Sequence, residues 1–108
     1  MKTLAHVIMG AFALLLTSQA YAVDAKAAES LAQRNGCLAC HTVNEKVVGP
    51  ALKDVAAKYR GEKGAEAKLI GRVKSGSNGV WGPVPMWPNS PQVKDEDIRV
   101  IVQWILTL

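Results

Sequence analysis

The sequence predicts an all-α domain of about four short helices, and three observations point there. Apolar residues recur at helical spacing in separate stretches, and no run alternates convincingly as a strand would. Between the helical stretches lie two long irregular segments, residues 41–49 and 75–94. Loops of that length are unusual in a small domain unless they bind or wrap something.

Before the first helix the chain carries Lys2, an apolar run over residues 7–16, and then TSQAYA with small residues at Ala20 and Ala22. This is the pattern of a secretory signal peptide with an A-x-A site, and cleavage is expected after Ala22. The apolar run is shorter than the ~20 residues needed to cross a bilayer, which disfavours a retained anchor. The expected division is therefore a signal peptide over 1–22 and one domain over 23–108, exported to the periplasm and not inserted in a membrane. Helix one should run over about 25–35, with Asp24 as an acceptor at its start and Gly36 past its end. Pro50 suits a first helical position for helix two, where Leu52, Val55, Ala56 and Tyr59 fall on one face before Gly61. Helix three is expected over 65–74, with Leu69, Ile70 and Val73 together and Gly76 after. Helix four begins with Asp95, Glu96 and Asp97, which suit the positive end of a helix dipole, and continues with Ile98, Ile101, Val102 and Ile105. Its pattern is the strongest, and it should pack across helix one. Trp104 lies off that stripe but reads as core.

A domain of this size has a small core and commonly needs a disulfide, metal or cofactor for useful stability. Loss of Lys2 with the signal lowers the formal charge from +4 to +3, and no arginine-rich or lysine-rich tract is present. Nucleic acid is a poor match to such a surface. The whole chain has two cysteines and two histidines, and one histidine, His6, leaves with the signal.

Both cysteines and the remaining histidine stand together in Cys37-Leu38-Ala39-Cys40-His41, a C-x-x-C-H segment. That spacing is the signature of covalent c-type haem attachment. Each cysteine can add its sulfur across one haem vinyl group, and His41 then lies where an imidazole nitrogen reaches the iron. A zinc site would need about four ligands, and the mature chain has no second Cys or His pair. A thioredoxin-like redox pair would be expected beside a βαβ pattern, which is lacking. A haem also accounts for the long loops, because its flat apolar face supplies missing core and the chain must pass over both sides of it.

The second irregular segment holds Met86 among Gly82, Pro83, Pro85 and Pro88, in GVWGPVPMWPNSP. Those neighbours forbid helix, so Met86 is no member of a helical stripe. Met1 and Met9 leave with the signal, and no second histidine or spare cysteine remains, so Met86 is the candidate second axial ligand of the iron. A thioether favours ferrous iron and raises the reduction potential. The plainer possibility is a flexible gap filler.

The segments GCLACH, VVGPALKDVAAKY, GVWGPVPM and PN closely resemble the small monohaem class I cytochromes c of bacteria, the cytochrome c-551/c-552 (cytochrome c8) group, over essentially the whole mature chain. The resemblance implies a small class I cytochrome c fold, with helices wrapped around one covalent haem c and the terminal helices packed together. It also implies residue roles. The carbonyl of Pro50 would accept from the other ring nitrogen of His41, Asn89 would donate to the Met86 sulfur, and Arg72 and Trp81 would bond a haem propionate. The bland alternatives are a turn residue for Asn89, solvated surface for Arg72 and core for Trp81. Many relatives carry a second proline after the ligand methionine where this chain has Trp87, which either covers part of the haem edge or stands exposed at a docking surface.

With both axial positions filled, the haem is suited to carrying one electron rather than to catalysis. The expected function is a monomeric periplasmic shuttle, with Lys46, Lys53 and Lys58 as a weak positive rim. By resemblance its partners are a donor such as a cytochrome bc1 complex and an acceptor such as a terminal oxidase, nitrite reductase or cytochrome c peroxidase. Two other classes stay open at this stage: a haem sensor or enzyme with a displaceable Met86, and a thiol-disulfide oxidoreductase.

Overall fold

The computed structural model describes residues 23–108 continuously, with residues 3, 5 and 9–13 ahead of them. The expected cleavage bond after Ala22 and most of the segment before it lie outside the described residues. Among those described, no helix is long and apolar enough to cross a membrane.

Four α-helices and one short 3-10 turn follow in order: α1 (Ala25–Arg34), the turn Cys37–Ala39, α2 (Leu52–Tyr59), α3 (Ala65–Ser75) and α4 (Asp95–Ile105). Among the described residues there is no strand, only isolated bridges between His41 and Lys46 and between Ser77 and Met86. The all-α expectation holds. Asp24 caps α1 by accepting from the Ala27 N–H at 3.1 Å, as its acceptor side chain predicts.

Pro50 corrects the expectation for the second helix. It lies outside, because α2 starts at Leu52 with Ala51 in an extended conformation as the capping residue. The first N–H groups of α2 find partners in the preceding loop, from Leu52 to Thr42 O at 2.9 Å and from Lys53 to Val43 O at 3.1 Å. Groups that a helix leaves unsatisfied are thus paired by the chain that crosses its end, which fixes that loop against α2.

Helix α4 is the centre of the packing and touches α1, α2 and α3. Its apolar stripe, Ile98, Ile101, Val102 and Ile105, is buried, and so is Trp104 at 3% exposure. On α1 the buried positions are Ala28 and Ala32, small residues one turn apart that let another helix approach closely. Burying Ile98 and Val102 contributes about 1.5–3 kcal/mol each. An exposed ion pair, Lys74 to Asp95 at 2.9 Å, links the last turn of α3 to the first of α4. Both charges also suit the helix dipoles they sit on.

Candidate functional site

Between α2, α3, α4 and the two long loops lies a cavity of about 360 Å³. Leu52, Val55, Ile98, Ile101 and Val102 give it apolar walls. The first loop and the 3-10 turn bring Cys37, Cys40 and His41 to it, α3 brings Arg72, and the second loop brings Trp81, Met86 and Asn89. Residues scattered over more than half of the mature chain therefore converge on one space. Pro50 does not line the cavity but bonds to a residue that does.

The entry to the first loop follows from Gly36, whose φ of 78° turns the chain sharply after α1. The 3-10 turn then closes with Cys40 N–H and His41 N–H both donating to Cys37 O, at 3.2 and 3.0 Å. This brings Cys37, Cys40 and His41 to the wall of the cavity. The two cysteines form no disulfide with each other; Cys37 is half-buried and Cys40 exposed. Burial pushes the Cys37 thiol up from its ordinary value, a backbone hydrogen bond pulls the other way, and the neighbouring Cys40 adds to the rise.

His41 Nδ1 lies 2.8 Å from Pro50 O. A carbonyl only accepts, so Nδ1 carries a proton there, and in the neutral imidazole Nε2 is the nitrogen that keeps its lone pair. A second constraint comes from Gly49, which lines the same cavity. A Cβ there would stand 2.5 Å from His41 Cε1 and 3.0 Å from Nε2, so only glycine leaves room for the ring. The Gly49 N–H donates to Cys40 O at 2.8 Å, which holds that close approach in place.

The second loop is fastened to α3. Ser77 and Met86 exchange both backbone hydrogen bonds, at 3.1 and 2.9 Å. Asn89 N–H donates to Val73 O at 3.1 Å and Ser90 N–H to Lys74 O at 3.2 Å, so the loop satisfies carbonyls that the end of α3 leaves open. Gly76, at φ 86° and ψ 172°, makes the turn into this pairing, and a Cβ on it would fall 2.7 Å from Met86 O. The Asn89 amide, linked by resemblance to the Met86 sulfur, here donates to Val73 O and Trp87 O at 3.2 Å each. Carbonyls are stronger acceptors than a thioether. Arg72 reaches Ser77 Oγ at a long 3.4 Å. Trp81 is 37% exposed and Trp87 79% exposed.

The donor set fits a haem. An apolar cavity presents two thiols, an imidazole with a free Nε2 and a thioether. Among the described residues, no three His, Cys, Asp or Glu side chains gather to hold a bare metal ion. Reasoning from sequence missed Gly49 and the Ser77–Met86 pairing, and read Gly76 only as a helix stop. Gly49 stands beside Pro50 in VVGP, and its signal was a glycine where no turn is demanded.

The cytochrome c family model matches residues 25–108. The chain is 47% identical over 107 residues to cytochrome c-551 of Pseudomonas aeruginosa, covering 99% of this chain and 98% of that protein. It is 54% identical over 84 residues to cytochrome c-552 of Nitrosomonas europaea, covering 78% and 81%. The crystal structure of wild-type Nitrosomonas europaea cytochrome c552 superposes with a TM-score of 0.72, over 74% of this chain and 98% of that one. The match spans both loops and every wall of the cavity, and the chain belongs to the cytochrome c family, as an electron-transfer protein whose c-type haem is attached covalently through its C-x-x-C-H segment.

Proposed function

We propose that the protein is a periplasmic one-electron shuttle whose haem iron has His41 and Met86 as its two axial ligands. The observation that carries this reading is that His41, with its Nε2 lone pair free, and Met86, the sole methionine of residues 23–108, line the same apolar cavity from two separately anchored loops. The haem, when bound, supplies the one-electron chemistry. Everything else is the work of this chain. Cys37 and Cys40 hold the group through thioethers. Pro50 O and the missing side chain of Gly49 orient His41, as partners of a metal-binding imidazole commonly do. The Ser77 pairing holds Met86, and Asn89 supports it by tying the loop to Val73 and Trp87. Arg72 and Trp81 take a propionate, whose charge would be costly to bury alone.

Two fixed ligands keep the coordination the same in both oxidation states, so little reorganises when an electron passes. Cleavage after Ala22 releases the domain of residues 23–108 as a monomer. Its partners are redox proteins, a donor of the cytochrome bc1 kind and an acceptor such as a terminal oxidase, nitrite reductase or cytochrome c peroxidase. The test is Met86→Ala. It should lower the midpoint potential by a substantial part of the roughly 0.8 V over which axial ligands move haem potentials. It should also let ferric protein bind cyanide readily, which wild type should resist. An unchanged potential removes Met86 from the ligand set.

A further inference from the structure

Trp81 sits in a stretch whose backbone restrains it little, between Gly79 at φ 77° and Gly82 at φ 110°. Such glycines tolerate many conformations, so something else must fix the indole. Lys58 is placed to do so. Its Nζ stands 5.6 Å from the centroid of the Trp81 ring, within the range of a cation–π contact. The ammonium is also 6.0 Å from the ring of Tyr59, which is itself buried in the core. Lys58 belongs to α2, whose first turn is anchored by Thr42 and Val43. The ion pairs among the described residues, Lys68 with Glu62 and Lys74 with Asp95, do not involve it. Its charge is thus not neutralised by a carboxylate and faces an aromatic ring instead.

We propose that Lys58 is a positioning residue for Trp81: its ammonium holds the indole at the mouth of the haem cavity and, through it, raises the reduction potential. The proposal rests on the reading above that Trp81 donates to a haem propionate. A cation over the face of an indole draws electron density from the ring, which makes the Nε1–H at the edge a better donor. A propionate so bonded places less negative charge on the iron. Ferrous haem, the form with one fewer positive charge, is then less disfavoured. Arg72, lining the same cavity, adds a second positive group. Lys58 therefore differs from a surface lysine that merely adds charge, because its effect passes through one named side chain.

The experiment is a double-mutant cycle on the haem-loaded protein, read by midpoint potential at low ionic strength and by the Trp81 indole N–H resonance. Lys58 is exposed, so its variants should fold as wild type does. Lys58→Met should move the indole resonance and lower the potential, and Lys58→Arg should keep both near wild type. In a Trp81→Leu background, Lys58→Met should lower the potential by less than half as much. An equal lowering in both backgrounds makes Lys58 a bare charge acting through space and overturns the proposal. So does an indole resonance that Lys58→Met leaves in place, although the propionate reading then survives. Trp81→Leu with unaltered potential removes Trp81 from the propionate and the proposal with it, even where Lys58→Met still moves the resonance.

Discussion

At His41 one atom of the imidazole is assigned by what surrounds the other. The carbonyl of Pro50 takes Nδ1–H at 2.8 Å, and the ring stands so near Gly49 that a methyl group there would overlap Cε1. Gly49→Ala should therefore push the imidazole off its position and destabilise the fold by about 1–3 kcal/mol, the usual cost of forcing an extra methyl into a packed site. Denaturant unfolding gives the energy, and electron paramagnetic resonance of the ferric protein gives the ligand geometry. Wild-type values in both would show that the ring has room to spare. The role proposed for His41 is read from the sequence, because C-x-x-C-H is a spacing with a chemical cause. The role of Gly49 was not, since a close approach between a glycine and a ring eight positions earlier leaves no periodic mark.

The elements show the same division. Helices α1, α3 and α4 were legible within a residue or so, from apolar periodicity, an Asp24 cap and glycine stops at Gly36 and Gly76. The start of α2 was misread at Pro50 because the partners of its first N–H groups, Thr42 and Val43, come from a loop and not from a local capping residue. The second loop looked irregular from sequence, and its anchoring to α3 is visible only in three dimensions. Gly76 is the joint of that anchoring, in a conformation essentially reserved for glycine. Gly76→Ala should cost about 1–3 kcal/mol in strain and loosen the Ser77–Met86 pairing. The expected result is a lower unfolding midpoint together with faster cyanide binding to ferric protein. A lower midpoint with cyanide binding unchanged would mean that the pairing does not hold the ligand.

For the molecule as a whole, the haem adds to the small hydrophobic core that the helices form. The cavity of about 360 Å³ is walled by Leu52, Val55, Ile98, Ile101 and Val102, which are also members of the hydrophobic core, so what occupies that space completes the packing of α2 against α4. Replacing both Cys37 and Cys40 by Ala should accordingly leave a chain that lacks covalent haem and shows little helix by circular dichroism. A haem-free variant with native helicity and cooperative melting would show that the helices suffice alone. Trp87, 79% exposed beside Met86, also lines the cavity, so one face of its ring meets solvent and another the haem site. The central claim, one covalent haem with His41 and Met86 on its iron, is tested most directly by optical spectra of the purified protein before and after acid-acetone extraction, in wild type and in Met86→Ala. The haem should stay with the protein in both, and the weak absorption of an iron–sulfur bond should appear in ferric wild type and vanish in the variant. Haem released into the acetone, or a band indifferent to the loss of Met86, would contradict it.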